Sequence, residues 1–543
     1  MASIVRQNVG GNTYLYESVS YRNEEGKPRN RRVPIGKIDK KTGLPIYKPE
    51  YIQRMAAAGT PVESVETTPE FSVEDLRQSL IVQTGLVHLL REIAGRIGLS
   101  DVLRQVFPHD HEQIFALAAF LFASGDPLSY CAEWMERSDL GDLTPLASRR
   151  ISKMLARVTD KERQRFFSQW STCRSDREYL ALDITSVSSW SQLIDDVEWG
   201  YNRAGDSLAQ INLCLLMGEQ SRLPVRMTVY NGSIRDVSTL RTTIDQTVSE
   251  GSDRPVMIVM DKGFASKKNV DMLLATPQVR FLVALPLTMS FTKHQIDAER
   301  TDIDRFATTI VTGSETIHGI TKERSWMGGR RVTVHVYYNE VKATATRNRL
   351  YGRVRQLVEA AEIDPEDGKL QDQFKRYLII RKSSSNPRGY TITVREDVIA
   401  EELAYAGWLV LVGNHINDAA EAIRIYRDKD VVEKGFLRLK HSLGLDRLRM
   451  HGRAMSGAND QARVHSQEAM ESKAFLGFLA LIFSFHVHRV MSDNDLYRYM
   501  TIKDLIRTIE KLRTQIVDGR RILFPLTKRQ NQIYAAFGIS PPV

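Results

Sequence analysis

Between Tyr179 and Leu287 the chain carries four or five nearly unbroken apolar runs, within YLALDITSVSS, QINLCLLMGEQSRLPVRMTVYNG, RPVMIVMDKGF and RFLVALPL. Runs this short and this apolar are what strands buried on both faces look like, and burial on both faces requires helices above and below the sheet. The stretch therefore predicts an α/β core whose first strands form a meander. Two of the runs end in an aspartate, Asp183 in the first and Asp261 in the third.

The rest of the chain falls into place around this core. Residues 1–70 alternate short β-like runs with turn-rich, basic stretches and read as β-hairpins; Arg22, Lys27, Arg29, Arg31 and Arg32 crowd there. A solvated charged hairpin and a contact with a DNA backbone explain that charge equally well. Residues 71–175 turn helical in period, which suits a helical DNA-binding domain and equally a plain helical interaction domain. The first part of the core is expected over 176–290, an inserted mixed β/α domain over 291–404, the second part of the core over 405–490, and a C-terminal helical region over 491–543.

Composition narrows the class of partner. The 543 residues carry a formal charge of +9 with a pI near 9.2, which points to a polyanion, nucleic acid first. Three widely spaced cysteines suggest neither a disulfide framework nor a thiolate metal site, and fit a reducing cytoplasm. No apolar signal core opens the chain, and the longest apolar run, Ala474 to Phe485, falls short of the roughly 20 residues that cross a bilayer, so no membrane span is expected. His109, Asp110, His111 and Glu112 resemble metal ligands, but neighbouring residues do not easily converge on one ion; Asp110 is expected as a helix N-cap.

Downstream of the core strands, YRDKDVVEKGFLRLK places Tyr426, Lys429, Glu433 and Lys440 three, four and seven residues apart. On one α-helix these four share a face, next to an apolar stripe of Val432, Phe436, Leu439 and Leu443. A solvated surface helix also carries such a row. Asp183, Asp261 and Glu433 together would give three carboxylates from three separate elements, the oxygen donors that hard divalent ions require for phosphoryl transfer.

At these residues the chain resembles the bacterial insertion-sequence transposases of the DDE class that carry a Tyr-Arg-Glu-Lys signature. Tyr426, Lys429, Glu433 and Lys440 reproduce the spacing of two, three and six intervening residues, with Lys429 standing where the family has Arg. LDITSV around Asp183, GYNRAGDSLAQINLCLL and MDKGF with Asp261 agree with it as well. The resemblance implies an RNase H-like mixed sheet flanked by helices, interrupted by an insertion domain ahead of the catalytic Glu. It implies cleavage and joining of DNA with Mg²⁺ or Mn²⁺, two ions held by Asp183, Asp261 and Glu433. Tyr426, Lys429 and Lys440 would hold phosphates, and Arg203 would do likewise. The partners implied are double-stranded DNA, both transposon terminal inverted repeats and target, and a second copy of the chain in a synaptic complex, in the bacterial cytoplasm.

Arg447 and Arg449, in RLRMHGR, add positive charge near this site. In ERSWMGGRR, Trp326 beside Arg324, Arg330, Arg331 and a Gly pair has the chemistry to stack on a base drawn out of the duplex, or it covers the small β core of the insertion. Two other functions share these residues. One is a transposase-derived DNA-binding protein that no longer cuts, against which the intact triad stands. The other is an RNase H-like structure-specific nuclease, against which the long insertion and the additional N-terminal domains stand.

Overall fold

A computed structural model of the chain describes residues 3–10, 12–23, 26–40, 43–57, 75, 77–173, 179–189, 197–198, 209–231, 233, 240–241, 243–244, 255–312, 315–383, 389–442, 447–448 and 460–543. The contacts divide it into two units, residues 1–80 with 516–521, and 81–515 with 522–543.

The first unit is an antiparallel sheet of β1 (Ser3–Val9), β2 (Asn12–Arg22), β3 (Pro28–Ile38) and β4 (Pro45–Tyr47), in that order. Helix α1 (Pro49–Ala57) closes one end, where Tyr51 buries against Leu15 and Ile35. Arg54 of α1 then meets Glu17 at 2.5 Å, where the apolar cover ends.

The second unit begins with β5 (Leu80–Gln83) and six helices: α2 (Gly85–Arg96), α3 (Leu99–Val106), α4 (His111–Ser124), α5 (Cys131–Arg137), α6 (Ser148–Leu155) and α7 (Asp160–Cys173). Helix α4 is apolar on all sides because it is buried on all sides. The core strands are β6 (Tyr179–Ser189), β7 (Gln210–Gly218), β8 (Pro224–Asn231), β9 (Val256–Met260) and β10 (Val279–Ala284), with α8 (Lys267–Ala275) connecting the last two. Helix α9 (Ser290–Glu299) follows, then β11 (Thr309–Thr312), β12 (Glu315–Ser325) and β13 (Arg331–Tyr338).

A separate small core is built by α10 (Glu340–Ile363), α11 (Gln371–Tyr377), β14 (Leu378–Lys382), β15 (Tyr390–Val394) and α12 (Glu396–Leu403), around Leu350, Val354, Phe374, Tyr377 and Ile399. The chain then returns as β16 (Trp408–Gly413), α13 (Ala419–Asp428) and α14 (Asp430–Leu437). A π-helical turn at Arg438–Ser442, strand β17 (Arg447–Leu448) and the 34-residue helix α15 (Asp460–Asp493) complete the core. The C-terminal elements fold back on α2: Arg96 donates to the Phe537 and Gly538 carbonyls, and Tyr534 to the Gly85 carbonyl.

One mixed sheet of ten strands among the described residues organises this unit, in the order β11-β12-β13-β16-β10-β9-β6-β7-β8, with β17 beside β6. Strands β6, β7 and β8 form the antiparallel meander, β9 and β10 run parallel to β6, and β16 pairs antiparallel to β10. Part of the stretch 291–404, expected as an insertion, lies in the main sheet. Residues of β12 and β13 extend the main sheet, so only Glu340–Leu403 stands apart from it with a core of its own. Strand β13 is buried from Val332 to Tyr337 because side chains pack on both of its faces.

Alternate residues of the strands feed two cores. On one face Leu182, Ile184, Leu216, Ile258, Met260, Phe281, Val283 and Val410 pack with Phe264, Val270 and Ile296. On the other, Ala181, Leu213 and Leu215 pack with α14 and α15, and Val259, Leu282 and Leu411 pack with α13. The stretch Gln467–Asp493 of α15 is long and apolar enough to cross a bilayer, more than the sequence run alone indicated, but it is mostly buried between the helices and the sheet.

Candidate active site

The parallel register of β6 and β9 sets Ala181 opposite Val259 and Leu182 opposite Met260. Side chains alternate across a strand, so Asp183 shares the face of Ala181, and Asp261, the residue after β9 ends, continues the face of Val259. Two aspartates thus stand side by side on the face that α13 and α14 cover. Asp183 does not end its strand as its sequence suggested. It lies mid-way along β6, which runs on to Ser189 against β7, and its neighbour β9 is what stops there. Among the described residues, strand β17 takes up that side of β6 at Ser188 and Ser189.

The helical row predicted for Tyr426–Lys440 is not one helix. It breaks at Lys429 into α13 and α14 and then opens into the π-helical turn that holds Lys440. Helix α13 docks on the sheet through Ala422, Ile423 and Ile425, and α14 through Val431, Val432 and Phe436. Gly435 lets α14 approach closely: a Cβ there would lie 3.0 Å from Leu215 Cδ2, and Leu215 is the cross-strand partner of Asp183. Sequence reasoning passed over Gly435, although a glycine in the middle of an amphipathic helix is a signal of close packing.

Of the signature side chains, Tyr426 meets an aspartate directly, and Lys429 and Glu433 meet each other beside it. The Tyr426 hydroxyl donates to Asp261 Oδ1 at 3.0 Å. Burial first, then the charge and hydrogen bond of Asp261, and then the charges of Glu433 and Asp183 push the Tyr426 phenol well above its ordinary range. One phenol therefore lies within electrostatic reach of all three carboxylates. Lys429 is buried, with its Nζ 3.5 Å from Glu433 Oε1 and 5.6 Å from the centre of the Tyr426 ring, whereas the Glu433 side chain is 61% exposed. A lysine is buried at such a place only because it neutralises acidic neighbours.

Comparison with known proteins bears on this arrangement. The transposase DDE domain family matches residues 169–464, more than half of the 543-residue chain, a span that contains both aspartates and Glu433. The chain belongs to the DDE transposase family. Among solved structures, the transposase is similar to a piggyBac transposase synaptic complex with hairpin DNA, at 11% identity over 74% of this chain and 70% of that one, with a TM-score of 0.33. A likeness of that size carries no structural argument. No match is found among curated proteins.

Members of this family use divalent metal ions, and the donor set here has the right chemistry, three carboxylates with hard oxygens. In the arrangement described, Tyr426 occupies one oxygen of Asp261 and Lys429 faces Glu433, and among the described residues no three His, Cys, Asp or Glu side chains are drawn together closely enough to grip an ion.

Other residues singled out by the sequence fall differently. Lys440 is half-buried rather than exposed, and the π-helical turn carries it off the α-helical row that Glu433 starts. Arg447 is placed in the sheet by its backbone pairing with Ser188. Arg203 and Arg449 lie outside the described residues.

Trp326 is a correction. It is 1% exposed, packs edge-on against Phe291 with ring centres 4.8 Å apart, and belongs to the core on the sheet face opposite the aspartates. A ring so enclosed has no face to offer a base. Of its basic neighbours, Arg324 is committed to Glu299 at 2.7 Å, and Arg330 donates to the Leu274 carbonyl. Asp110 stands at the N-cap position of α4, but its carboxylate takes a hydrogen bond from Arg157 at 2.9 Å and caps nothing, and Glu112 pairs with Arg91.

Proposed function

We propose that this transposase binds transposon ends and catalyses divalent-metal-dependent cleavage and strand transfer of DNA, with Asp183, Asp261 and Glu433 as the metal-holding set. The observation that carries the reading is the pair of aspartates aligned by the β6–β9 register beneath a helix pair whose Tyr426 senses all three carboxylates. An antiparallel meander followed by two strands parallel to its first, in the order β8-β7-β6-β9-β10, supports an RNase H-like core. The separate body at Glu340–Leu403, ahead of Glu433, supports an insertion of the kind such transposases carry.

A bound Mg²⁺ or Mn²⁺ pair would supply positive charge where the attacking and leaving oxygens become negative. The chain's own residues prepare the place. Tyr426 fixes the orientation of Asp261 through one hydrogen bond, and Lys429 balances the negative charge from beneath. Gly435 keeps α14, and with it Glu433, close to the strand that bears Asp183. Lys440, Arg203, Arg447 and Arg449 are assigned to backbone phosphates near the cut, and a second copy of the chain to the paired end.

The test uses the purified full chain, a supercoiled plasmid bearing the DNA that flanks its coding region, and Mn²⁺. Nicking followed by joining to a second plasmid is expected, and Asp183→Asn, Asp261→Asn and Glu433→Gln are each expected to remove both. Nicking without joining would reassign the protein as a nuclease. Binding without nicking by the unaltered chain would reassign it as a DNA-binding descendant.

A further inference from the structure

The hairpin of β2 and β3 outruns the sheet it belongs to. Among the described residues, strand β1 pairs with β2 from Asn12 to Ser18, and β4 pairs with β3 from Gly36 to Ile38. Beyond Ser18 the described residues form a ribbon two strands wide, paired Ser18 with Arg32, Val19 with Arg31, Ser20 with Asn30, Tyr21 with Arg29 and Arg22 with Pro28. Residues Val19–Arg22 and Pro28–Pro34 are exposed on both faces.

Directly opposed residues point to the same side, so one face presents Val19, Tyr21, Arg29 and Arg31, and the other Ser18, Ser20, Asn30, Arg22 and Arg32. Arg29, Arg31 and Arg32 have no carboxylate partner among the described residues, whereas Arg22 is tied to the turn through the Gly26 carbonyl at 3.1 Å. Tyr21 is 53% exposed and Val19 43%, on a ribbon with no core of its own to bury them. A hairpin that served only as a solvated loop would have no use for an apolar and aromatic face bracketed by unpaired arginines.

We infer that the β2–β3 ribbon is a DNA-binding arm that enters the major groove of a duplex, with Arg29, Arg31 and Arg32 on phosphates and base edges and Tyr21 against the groove wall. The dimensions fit. Two strands about 4.8 Å apart with their side chains fill a groove about 12 Å wide, which admits a two-stranded ribbon. The major groove of double-stranded RNA is too deep and narrow to be read by side chains, so the same ribbon discriminates between the duplexes. The inference rests on the proposed function only for the choice of DNA as ligand.

The experiment measures binding of the full chain to a short fluorescent DNA duplex of arbitrary sequence across a salt series, for the unaltered protein and for Arg29→Ala/Arg31→Ala/Arg32→Ala. Each phosphate contact contributes about 0.9 to the slope of log affinity against log salt, so the triple variant is expected to lose two to three contacts' worth of slope and at least about tenfold in affinity. Tyr21→Ser is expected to weaken binding without changing the slope. Unlabelled double-stranded RNA is expected to compete poorly. An unchanged slope in the triple variant, equal competition by RNA, or a changed oligomeric state with DNA binding intact would each overturn the arm. Because binding is read without chemistry, a failure of cleavage by the unaltered protein would sink the proposed function and leave this result standing.

Discussion

The two faces of the central sheet are made by the same strands, residue by alternate residue, and they differ in one respect. The face with Phe264, Phe281, Phe291 and Trp326 is mainly apolar, with the Arg324–Glu299 pair at its margin, while the face beneath α13 and α14 is interrupted by Asp183, Asp261 and Lys429. Burying charge costs several kcal/mol unless it is paired, so the second face keeps its charges only by answering each carboxylate with a donor. One face holds the fold together, and the other gives up some packing to hold a reactive cluster.

The sharpest way to break this division is to cut once on each side. Asp261→Ala is expected to lower metal-dependent DNA cutting by at least about 10³-fold with its midpoint of urea unfolding almost unchanged. Trp326→Ala should do the reverse, costing about 3–5 kcal/mol of stability while cutting per folded molecule stays the same. If Trp326→Ala spares stability and stops the chemistry, the two faces do not divide the work as described.

Gly435→Val tests how closely the helix must sit on the charged face. The added carbon atoms start 3.0 Å from Leu215 Cδ2 and 3.5 Å from Phe485 Cε2 and have to displace α14. Cutting should fall about 10- to 100-fold, with a stability loss of about 1–3 kcal/mol, measured by nicking rate and chemical unfolding. A variant as active as the parent would mean that Glu433 does not depend on α14 for its place.

His335 gives the charged face a pH signature. It is fully buried, its Nδ1 pairs with the Thr321 hydroxyl at 2.8 Å, and burial pushes the imidazole down to about 4, with the Asp418 charge opposing. The folded chain then binds this proton less readily than the unfolded one, whose ordinary value is 6.5. Its contribution is complete above that ordinary value and is lost as pH falls toward the folded one, on the order of 2 kcal/mol between neutrality and about pH 4.5. His335→Gln should flatten that part of the stability curve, and an unchanged curve would remove His335 from the account.

The smallest effect is expected from Trp326→Phe on the apolar face. The indole Nε1 is buried without a hydrogen-bond partner among the described residues, so losing it offsets part of the lost volume. Stability within about 1 kcal/mol of the parent is expected by thermal melting.

The strands of the core were legible because continuous apolar runs state that they are buried, and Asp183 and Asp261 stand out as acids on such runs, whereas Glu433 comes from a charged helical row. What could not be read was which neighbour each strand would find. β12 and β13 fall in the stretch 291–404 read as an inserted mixed β/α domain, because a strand's own residues say nothing of the sheet it will join or the side chains that cover both its faces. Trp326 misled for the same reason: arginines and glycines beside it in sequence are the hairpin turn, while the ring folds back to Phe291, 35 positions earlier. Lys429 is expected to face phosphate, as lysines usually face water, but it is buried against the Tyr426 ring and Glu433, packing that its own stretch of sequence does not announce.

The point where the chain leaves the sheet for Glu340–Leu403 has a consequence for the order of folding. Tyr338 and Trp408 are paired neighbours on β13 and β16, with ring centres 5.0 Å apart, and Gly407 turns the chain there at φ +81°. Zipping those strands in an unfolded chain means closing a loop of some seventy residues, an entropy cost that grows with the logarithm of its length. If Glu340–Leu403 collapses first around Leu350, Phe374 and Tyr377, its two ends emerge side by side, and the strands meet as if joined by a hairpin turn. The appended body then serves the sheet as a folding clamp, and replacing it with a tight turn should leave the β13–β16 register intact.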